Sequence, residues 1–233
     1  MKSLSYIISF ALLSGPGDMT SYKKIFYPEY GSAVTFIEQS RKKLQSMESE
    51  HKDMMLAIVF PELIRFSLFR DFFETKVLEL GYIEYGKEMV DFSIGRFQMK
   101  PSFVEKLEDH VKESKKLVKK YNKITQFKNS VAEDIRRERI ERLGKLEWQI
   151  RYLECFYDII SERFGDIQWD DNLKKLKFYA TAYNHDFNAP REEIEKWINV
   201  KAFPYGTNYK GKQYSYSEIS TYFFINNLKT LKP

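Results

Sequence analysis

The stretch from residue 51 to residue 80, HKDMMLAIVFPELIRFSLFRDFFETKVLEL, constrains the fold more than any other part of the chain. Its Met, Leu, Ile and Phe side chains recur three and four positions apart over a broad face, which is typical of a buried helix. Pro61 interrupts the stretch. Because proline lacks a backbone N–H and clashes with the preceding turn, we expect a helix boundary or a kink at Phe60.

Helical patterns also recur along the rest of the chain. They predict helices at 31–47, 101–127, 131–164, 171–183 and 190–199, and a loop followed by a last helix within 203–224. Apolar/polar alternation of the strand type is nowhere long enough to predict a sheet, and the sequence contains neither a repeat nor a Pro/Gly/Ser-rich linker. With 233 residues, the chain can bury a sizeable core. We therefore predict an all-α, mainly helical fold in a single domain.

The N-terminus has the pattern of a secretory signal peptide. Met1 and Lys2 precede the mainly apolar run SLSYIISFALLSG, and small residues follow it. The run is too short to anchor the chain stably across a bilayer. We expect residues 1–17 to be a signal peptide, residues 18–233 to be the folded domain, and the protein to be exported to the periplasm or secreted; the alternative is an ordinary buried first helix.

The charge pattern gives little support for a nucleic-acid partner. The net charge is +5, but basic and acidic residues are interleaved along most of the chain. The clearest basic face belongs to the predicted helix at 101–127, and we interpret it as a solvated surface; its members are Lys112, Lys115, Lys116, Lys119 and Lys120.

Several chemistries lack the residues they need. The sequence contains neither a Gly-rich phosphate loop nor a GxSxG elbow. The His residues, His51, His110 and His185, do not have the spacing of metal ligands, and Cys155 lies on the apolar side of a helical pattern, as a buried thiol would. We expect no metal and no cofactor, and carboxylates remain as the catalytic candidates.

Glu62 is the most distinctive carboxylate. Its neighbours in sequence are apolar: Val59, Phe60, Pro61, Leu63, Ile64 and Phe66. Loss of hydration in such surroundings disfavours the charged form, so the carboxyl group can keep its proton near neutral pH and act as a general acid. Arg65 and Arg70 would oppose that shift if they reach it. The alternative is a Glu that reaches solvent or caps the segment after Pro61.

Together with two later segments, Glu62 resembles the motif set of the lytic transglycosylases of the lysozyme-like superfamily, which cleave peptidoglycan strands. That family has a Glu at the end of an apolar helix, then a GLMQxxPxT loop, then an AYN run ending another helix. Here the three elements are IVFPELI around Glu62, GRFQMKPSF at 95–103 and AYN at 182–184, and QIRYL at 149–153 resembles the intervening helix. The resemblance covers roughly residues 50–200, with insertions near 70–90 and 105–140.

The resemblance implies a lysozyme-like domain that cleaves the β-1,4 bond between N-acetylmuramic acid and N-acetylglucosamine. Glu62 would protonate the bridging oxygen and then serve as the base while the sugar's C6 hydroxyl attacks C1 and leaves a 1,6-anhydro end. Gly95 would let the backbone approach the sugar, Gln98 would bind N-acetyl groups and hydroxyls, and Phe97 would form an apolar wall. The implied substrate-binding set is Ser93, Gly95, Phe97, Gln98, Tyr183 and Asn184, with the Tyr183 hydroxyl orienting the catalytic carboxyl group.

The sequence also departs from the family pattern. Leu63 follows the Glu where the family usually has Ser, His185 and Asp186 follow the AYN run, and Phe103 replaces the usual Thr. Three alternatives therefore stay open. One is a hydrolytic muramidase that uses Asp91 or Glu88 as a second carboxylate. The others are a non-catalytic glycan-binding or envelope assembly protein, and an intracellular helical scaffold.

Overall fold

The structure, a computed structural model, describes residues 21–47, 50–69 and 75–228. The predicted signal peptide, 1–17, lies outside these residues. The described chain is mainly helical, which confirms the all-α prediction. Its α-helices are α1 Tyr22–Ile25, α2 Glu29–Gln39, α3 Arg41–Leu44, α4 Lys52–Phe69, α5 Thr75–Tyr85, α6 Pro101–Glu113, α7 Lys115–Thr125, α8 Ala132–Leu143, α9 Leu146–Arg163, α10 Asn172–Asn184, α11 Arg191–Trp197 and α12 Tyr216–Phe223.

Helix α4 forms the centre of the fold. Every residue from Met54 to Ile64 is buried, and α2, α10 and α12 pack around the helix. The predicted boundary at Phe60 is wrong, because α4 continues through Pro61. A proline removes only one helical hydrogen bond, and burial on all sides offsets that cost. The Tyr216 hydroxyl of α12 also donates to the Ile58 carbonyl, in the turn before the proline, at 2.9 Å.

Three of the long predicted helices are in fact pairs of helices. The 101–127 prediction covers α6 and α7, which meet at Ser114, and the hydroxyl of Ser114 caps α7 by accepting the Leu117 N–H at 3.3 Å. The 131–164 prediction covers α8 and α9, separated by Gly144 and Lys145, and the 31–47 prediction covers α2 and α3. Hydrophobic periodicity continued across each junction, so it could not mark the break.

The C-terminal part contains a small sheet that the sequence did not predict. Strand β1, Lys201–Phe203, pairs antiparallel with β2, Tyr214–Ser215, and a π-helical turn, Phe224–Leu228, follows α12. Strands of three and two residues are too short to show alternation. Helix α12 confirms the predicted last helix, and its Phe223 ring stacks on Phe60 of α4 at 3.7 Å between centroids.

A buried ionic network connects side chains of α5, α6, α8 and α9. Arg139 of α8 donates to both carboxylate oxygens of Glu108 on α6, at 3.1 and 2.7 Å, and to the Tyr82 hydroxyl of α5. The Tyr152 hydroxyl of α9 donates to the same Glu108 carboxylate at 3.1 Å. A paired and hydrogen-bonded charge is tolerated in a core, so these helices are held in one arrangement.

Candidate functional site

Glu62 lies at the base of a pocket of about 190 Å³, and its side chain is only 3% exposed. We call this cavity the Glu62 pocket. Three separated parts of the chain build it: α4, the segment 91–106, and the end of α10 with the residues after it. Among its lining residues are members of the predicted site set, namely Ser93, Gln98, Tyr183 and Asn184.

Arg65, one turn after Glu62, governs the electrostatics of the pocket. Its Nη1 lies 2.7 Å from Oε1 and 2.8 Å from Oε2 of Glu62, and its Nη2 lies 3.5 Å from Oδ1 of Asn184. The guanidinium group also sits 4.9 Å from the centroid of the Phe203 ring. In this arrangement both oxygens of the Glu62 carboxylate accept from a cation.

Burial nevertheless raises the pKa of Glu62 above the ordinary value of a glutamate. The charge and hydrogen bonds of Arg65, the Tyr216 hydroxyl and the charge of Lys100 all lower this pKa, but they offset the effect of burial only in part. Burial and the Arg65 contacts therefore act on the pKa of the Glu62 carboxyl group in opposite directions, and the effect of burial is the larger one.

Two tyrosines flank the carboxyl group. Burial, and next the charge of Glu62, raise the pKa values of Tyr183 and Tyr216 well above that of a free tyrosine. The Tyr183 hydroxyl donates to the Phe97 carbonyl at 2.8 Å, so its hydrogen is directed to the loop and not to Glu62. The single hydroxyl hydrogen of Tyr216 can serve either the Ile58 carbonyl or the nearby Glu62 carboxylate. Sequence reasoning missed Tyr216, which lies far along the chain in an aromatic-rich segment without a motif.

The loop at 94–99 is a tight hairpin that closes with a bridge between Ile94 and Met99. Gly95 has a φ of +71° and Gln98 a φ of +48°, so both adopt left-handed backbone conformations. The Gln98 side chain donates through Nε2 to the Gly95 carbonyl at 2.8 Å. Gln98 thus lines the Glu62 pocket with an amide whose orientation is fixed by the hairpin itself.

The predicted role of Gly95 needs correction. A Cβ at this position would lie 1.8 Å from Nε2 of Gln149 and 2.6 Å from the Leu143 carbonyl. The missing side chain makes room for Gln149 and the Leu143 carbonyl at the α8–α9 junction, and Gly95 is not among the residues that line the Glu62 pocket. The Gln149 side-chain amide accepts a hydrogen bond from the Phe97 N–H at 2.7 Å and donates one to the Leu143 carbonyl at 2.6 Å. The first of these bonds attaches the hairpin to α9.

Phe97 also has a different role from the predicted one. Its side chain is fully buried in the core and does not line the pocket. Its contribution to the site comes from its backbone, which binds Tyr183 and Gln149. The apolar walls of the pocket are instead Met99, Phe103 and Phe187.

The carboxylates considered as partners of Glu62 lie in different settings. Asp91 lines the pocket but accepts the Ser102 N–H at 3.0 Å and the Ser102 hydroxyl at 2.8 Å, so it caps the start of α6. Glu88 is exposed and does not line the pocket. Asp186, which the sequence did not single out, does line it. Burial acts to raise the pKa of Asp186, but hydrogen bonds from Lys106, at 2.8 Å, and from the Asn188 N–H, with the charges of Lys106 and His185, outweigh burial and lower that pKa.

A larger cavity of about 830 Å³ lies on the other side of the hairpin, where Gly95 and Arg96 line it. Its titratable side chains, among them Lys42, Lys43 and Lys145, are exposed. We place the candidate chemistry in the smaller pocket because that pocket contains the buried carboxyl group with the perturbed pKa.

Fold and site together define a mainly helical protein with a buried carboxyl group at the base of a polar pocket. No protein-family model, curated protein or solved structure matches the chain. Among the residues that the structure describes, none of the helices combines the length and apolar character needed to cross a bilayer. The same residues include no group of three or more His, Cys, Asp or Glu side chains placed to hold a metal ion.

Proposed function

We propose that this protein is an exported, lysozyme-like peptidoglycan lytic transglycosylase, with Glu62 as its single catalytic acid and base. The observation that carries the proposal is the meeting of Glu62, Gln98 and Tyr183 in one pocket, although they come from three distant segments. Ser93 and Asn184 line the same pocket and supply hydroxyl and amide groups suited to sugar hydroxyls and N-acetyl groups.

The proposed reaction needs only one carboxyl group. Protonated Glu62 gives its proton to the bridging oxygen, and the bond from that oxygen to C1 of N-acetylmuramic acid breaks. The resulting carboxylate then takes the proton of the C6 hydroxyl while that oxygen bonds to C1, which leaves a 1,6-anhydro end and returns Glu62 to its starting form. The raised pKa of Glu62 suits the first step, because a buried carboxyl group retains its proton to a higher pH.

The Arg65 ion pair supports a second candidate, a glycan-binding protein without turnover. A carboxylate whose two oxygens both accept from a guanidinium has no proton to give. Catalysis therefore requires Arg65 to move away from Glu62 when the substrate binds, whereas simple binding does not. Measuring products separates the two candidates.

Digestion of purified peptidoglycan, with the products read by mass spectrometry, tests the proposal. We expect fragments with 1,6-anhydro ends, which are lighter by one water than reducing ends. Reducing ends would instead support the hydrolytic alternative, and binding to insoluble peptidoglycan without soluble products would support the non-catalytic one.

Asp91→Asn distinguishes the two catalytic alternatives further. Because Asp91 caps α6, we expect its variant to lose about 1 kcal/mol of stability and to keep most of its cleavage activity. Thermal unfolding and the same digestion measure both quantities. Loss of activity by more than about a hundredfold in a folded variant would identify Asp91 as a second catalytic carboxylate.

Arg65→Met tests the electrostatics of the pocket. Removing the cation removes two effects that lower the pKa of Glu62, so we expect that pKa to rise further. A carboxyl group whose pKa is higher in the folded than in the unfolded state stabilises the fold below its unfolded pKa, and this contribution is lost as pH rises through the folded pKa. The variant should therefore lose more stability than the wild type as pH rises above the ordinary pKa of a glutamate, by about 1 to 3 kcal/mol. Equal pH dependence in chemical denaturation would contradict the assignment.

A further inference from the structure

The 830 Å³ cavity has an unbalanced charge. Among the residues that the structure describes, its lining includes four lysine or arginine side chains from three parts of the chain and one acidic side chain, Glu147, which is paired with Lys43 at 3.0 Å. We call this cavity the basic pocket; its cations are Lys42, Lys43, Arg96 and Lys145. A concave surface with this excess of positive charge attracts an anionic ligand.

Two aromatic rings hold the guanidinium group of Arg96 in position within the basic pocket. Its guanidinium group lies 4.7 Å from the ring centroid of Phe36 and 4.3 Å from that of Phe66. Contact with two rings restricts the side chain and reduces the entropy lost when the guanidinium group contacts an anion such as a carboxylate. The aromatic rings also supply apolar contact surface for the rest of such a ligand.

The basic pocket and the Glu62 pocket share their supporting elements. Gly95 and Arg96 line the basic pocket while Gln98 and Met99, in the same hairpin, line the Glu62 pocket. On α4, Phe66 lines the basic pocket, and Glu62 and Arg65 line the other. The two cavities are therefore neighbours, separated by the hairpin and by one turn of α4.

We propose that the basic pocket binds the carboxylate groups of the peptides attached to the glycan strand, so that the protein recognises strands that carry peptide. This inference rests on the proposed function for its choice of ligand. The volume of about 830 Å³ suits a peptide branch and not a lone anion. The charge excess matches the free carboxylates that such a branch carries.

Binding of a free stem peptide, which contains no glycosidic bond, tests the inference separately from cleavage. Isothermal titration of the full chain should show binding at low ionic strength, and Lys42→Gln/Lys145→Gln should weaken it about tenfold. Both lysines are exposed, so the double variant is expected to fold. Lys115→Gln/Lys119→Gln removes two exposed lysines from α7 and is the control with the same net charge; its affinity should match that of the wild type.

Three outcomes would overturn the inference: no peptide binding by the wild type, an equal loss in the control, or equally tight binding of tripolyphosphate with the same loss. The last would show a general anion site. If the peptide binds as expected but glycan is not cleaved, the proposed function fails and the basic pocket stands. If glycan is cleaved and the peptide does not bind, the proposed function stands and the peptide-binding role of the basic pocket fails.

Discussion

Glu62→Gln is expected to abolish glycan cleavage, with a fall in rate of about a thousandfold or more, while the fold persists. Glutamine is nearly the same size as glutamate but cannot deliver a proton to the bridging oxygen or take one from the C6 hydroxyl. Its amide oxygen can still accept from Arg65, so we expect a change in stability within about 2 kcal/mol. Release of soluble muropeptides measures activity, and far-ultraviolet circular dichroism with thermal unfolding measures the fold.

Glu88→Gln is the matched control for this substitution. It makes the same chemical change at an exposed carboxylate outside the Glu62 pocket, so activity and stability should both equal those of the wild type. Undiminished cleavage by folded Glu62→Gln would refute the assignment of the catalytic acid. Unchanged binding of glycan by that variant, together with absent cleavage in both it and the wild type, would instead favour the non-catalytic candidate.

The central part of the fold and of the site was predictable because it depends on local patterns. Three- and four-residue spacing of apolar side chains located α4 and α6, and an apolar environment in sequence indicated that Glu62 would be buried. Cys155 is buried as its position on a helical face predicted. These features depend on residues within a few helical turns of one another, and hydrophobic periodicity in a sequence carries information over that distance.

The features that failed depend on contacts between distant residues. Pro61 was expected to end or kink a helix, and the packing of α2, α10 and α12 around α4 explains why the helix does not end there. Tyr216 reaches Glu62 from the far end of the chain, and no spacing rule connects the two. Arg65 was expected to oppose the rise in the pKa of Glu62 if it reached that carboxyl group. In the structure its guanidinium group donates to both carboxylate oxygens, a contact that depends on side-chain rotamers and cannot be read from the sequence.

Gly95 shows how one glycine can have two different explanations. The resemblance to the transglycosylase loop requires glycine at this position, and the structure explains glycine differently. The backbone is left-handed there, and the Gln149 amide fills the space that a side chain would occupy. A glycine that admits a ligand and a glycine that admits a neighbouring side chain look identical in sequence, but they predict different results for the same substitution.

Gly95→Ala is therefore expected to destabilise the protein by about 3 to 5 kcal/mol. A methyl group in the left-handed region costs about 1 kcal/mol, displacement of the Gln149 side chain adds overpacking, and the buried Phe97 N–H then loses its acceptor. Chemical denaturation at neutral pH measures the loss. Because the Phe97 carbonyl also holds Tyr183, activity should fall together with stability.

Gly206→Ala separates the backbone effect from the packing effect. Gly206 has a φ of +88°, also in the left-handed region, but an added Cβ would meet no atom within 4 Å. It should therefore cost about 1 kcal/mol, and the difference between the two variants measures the contact with Gln149. If Gly95→Ala were as stable as Gly206→Ala and yet inactive, the glycine would serve the ligand after all, and the hairpin would approach the sugar directly. The two variants together decide whether this hairpin is a binding loop or a brace that positions Gln98 and Tyr183 around Glu62.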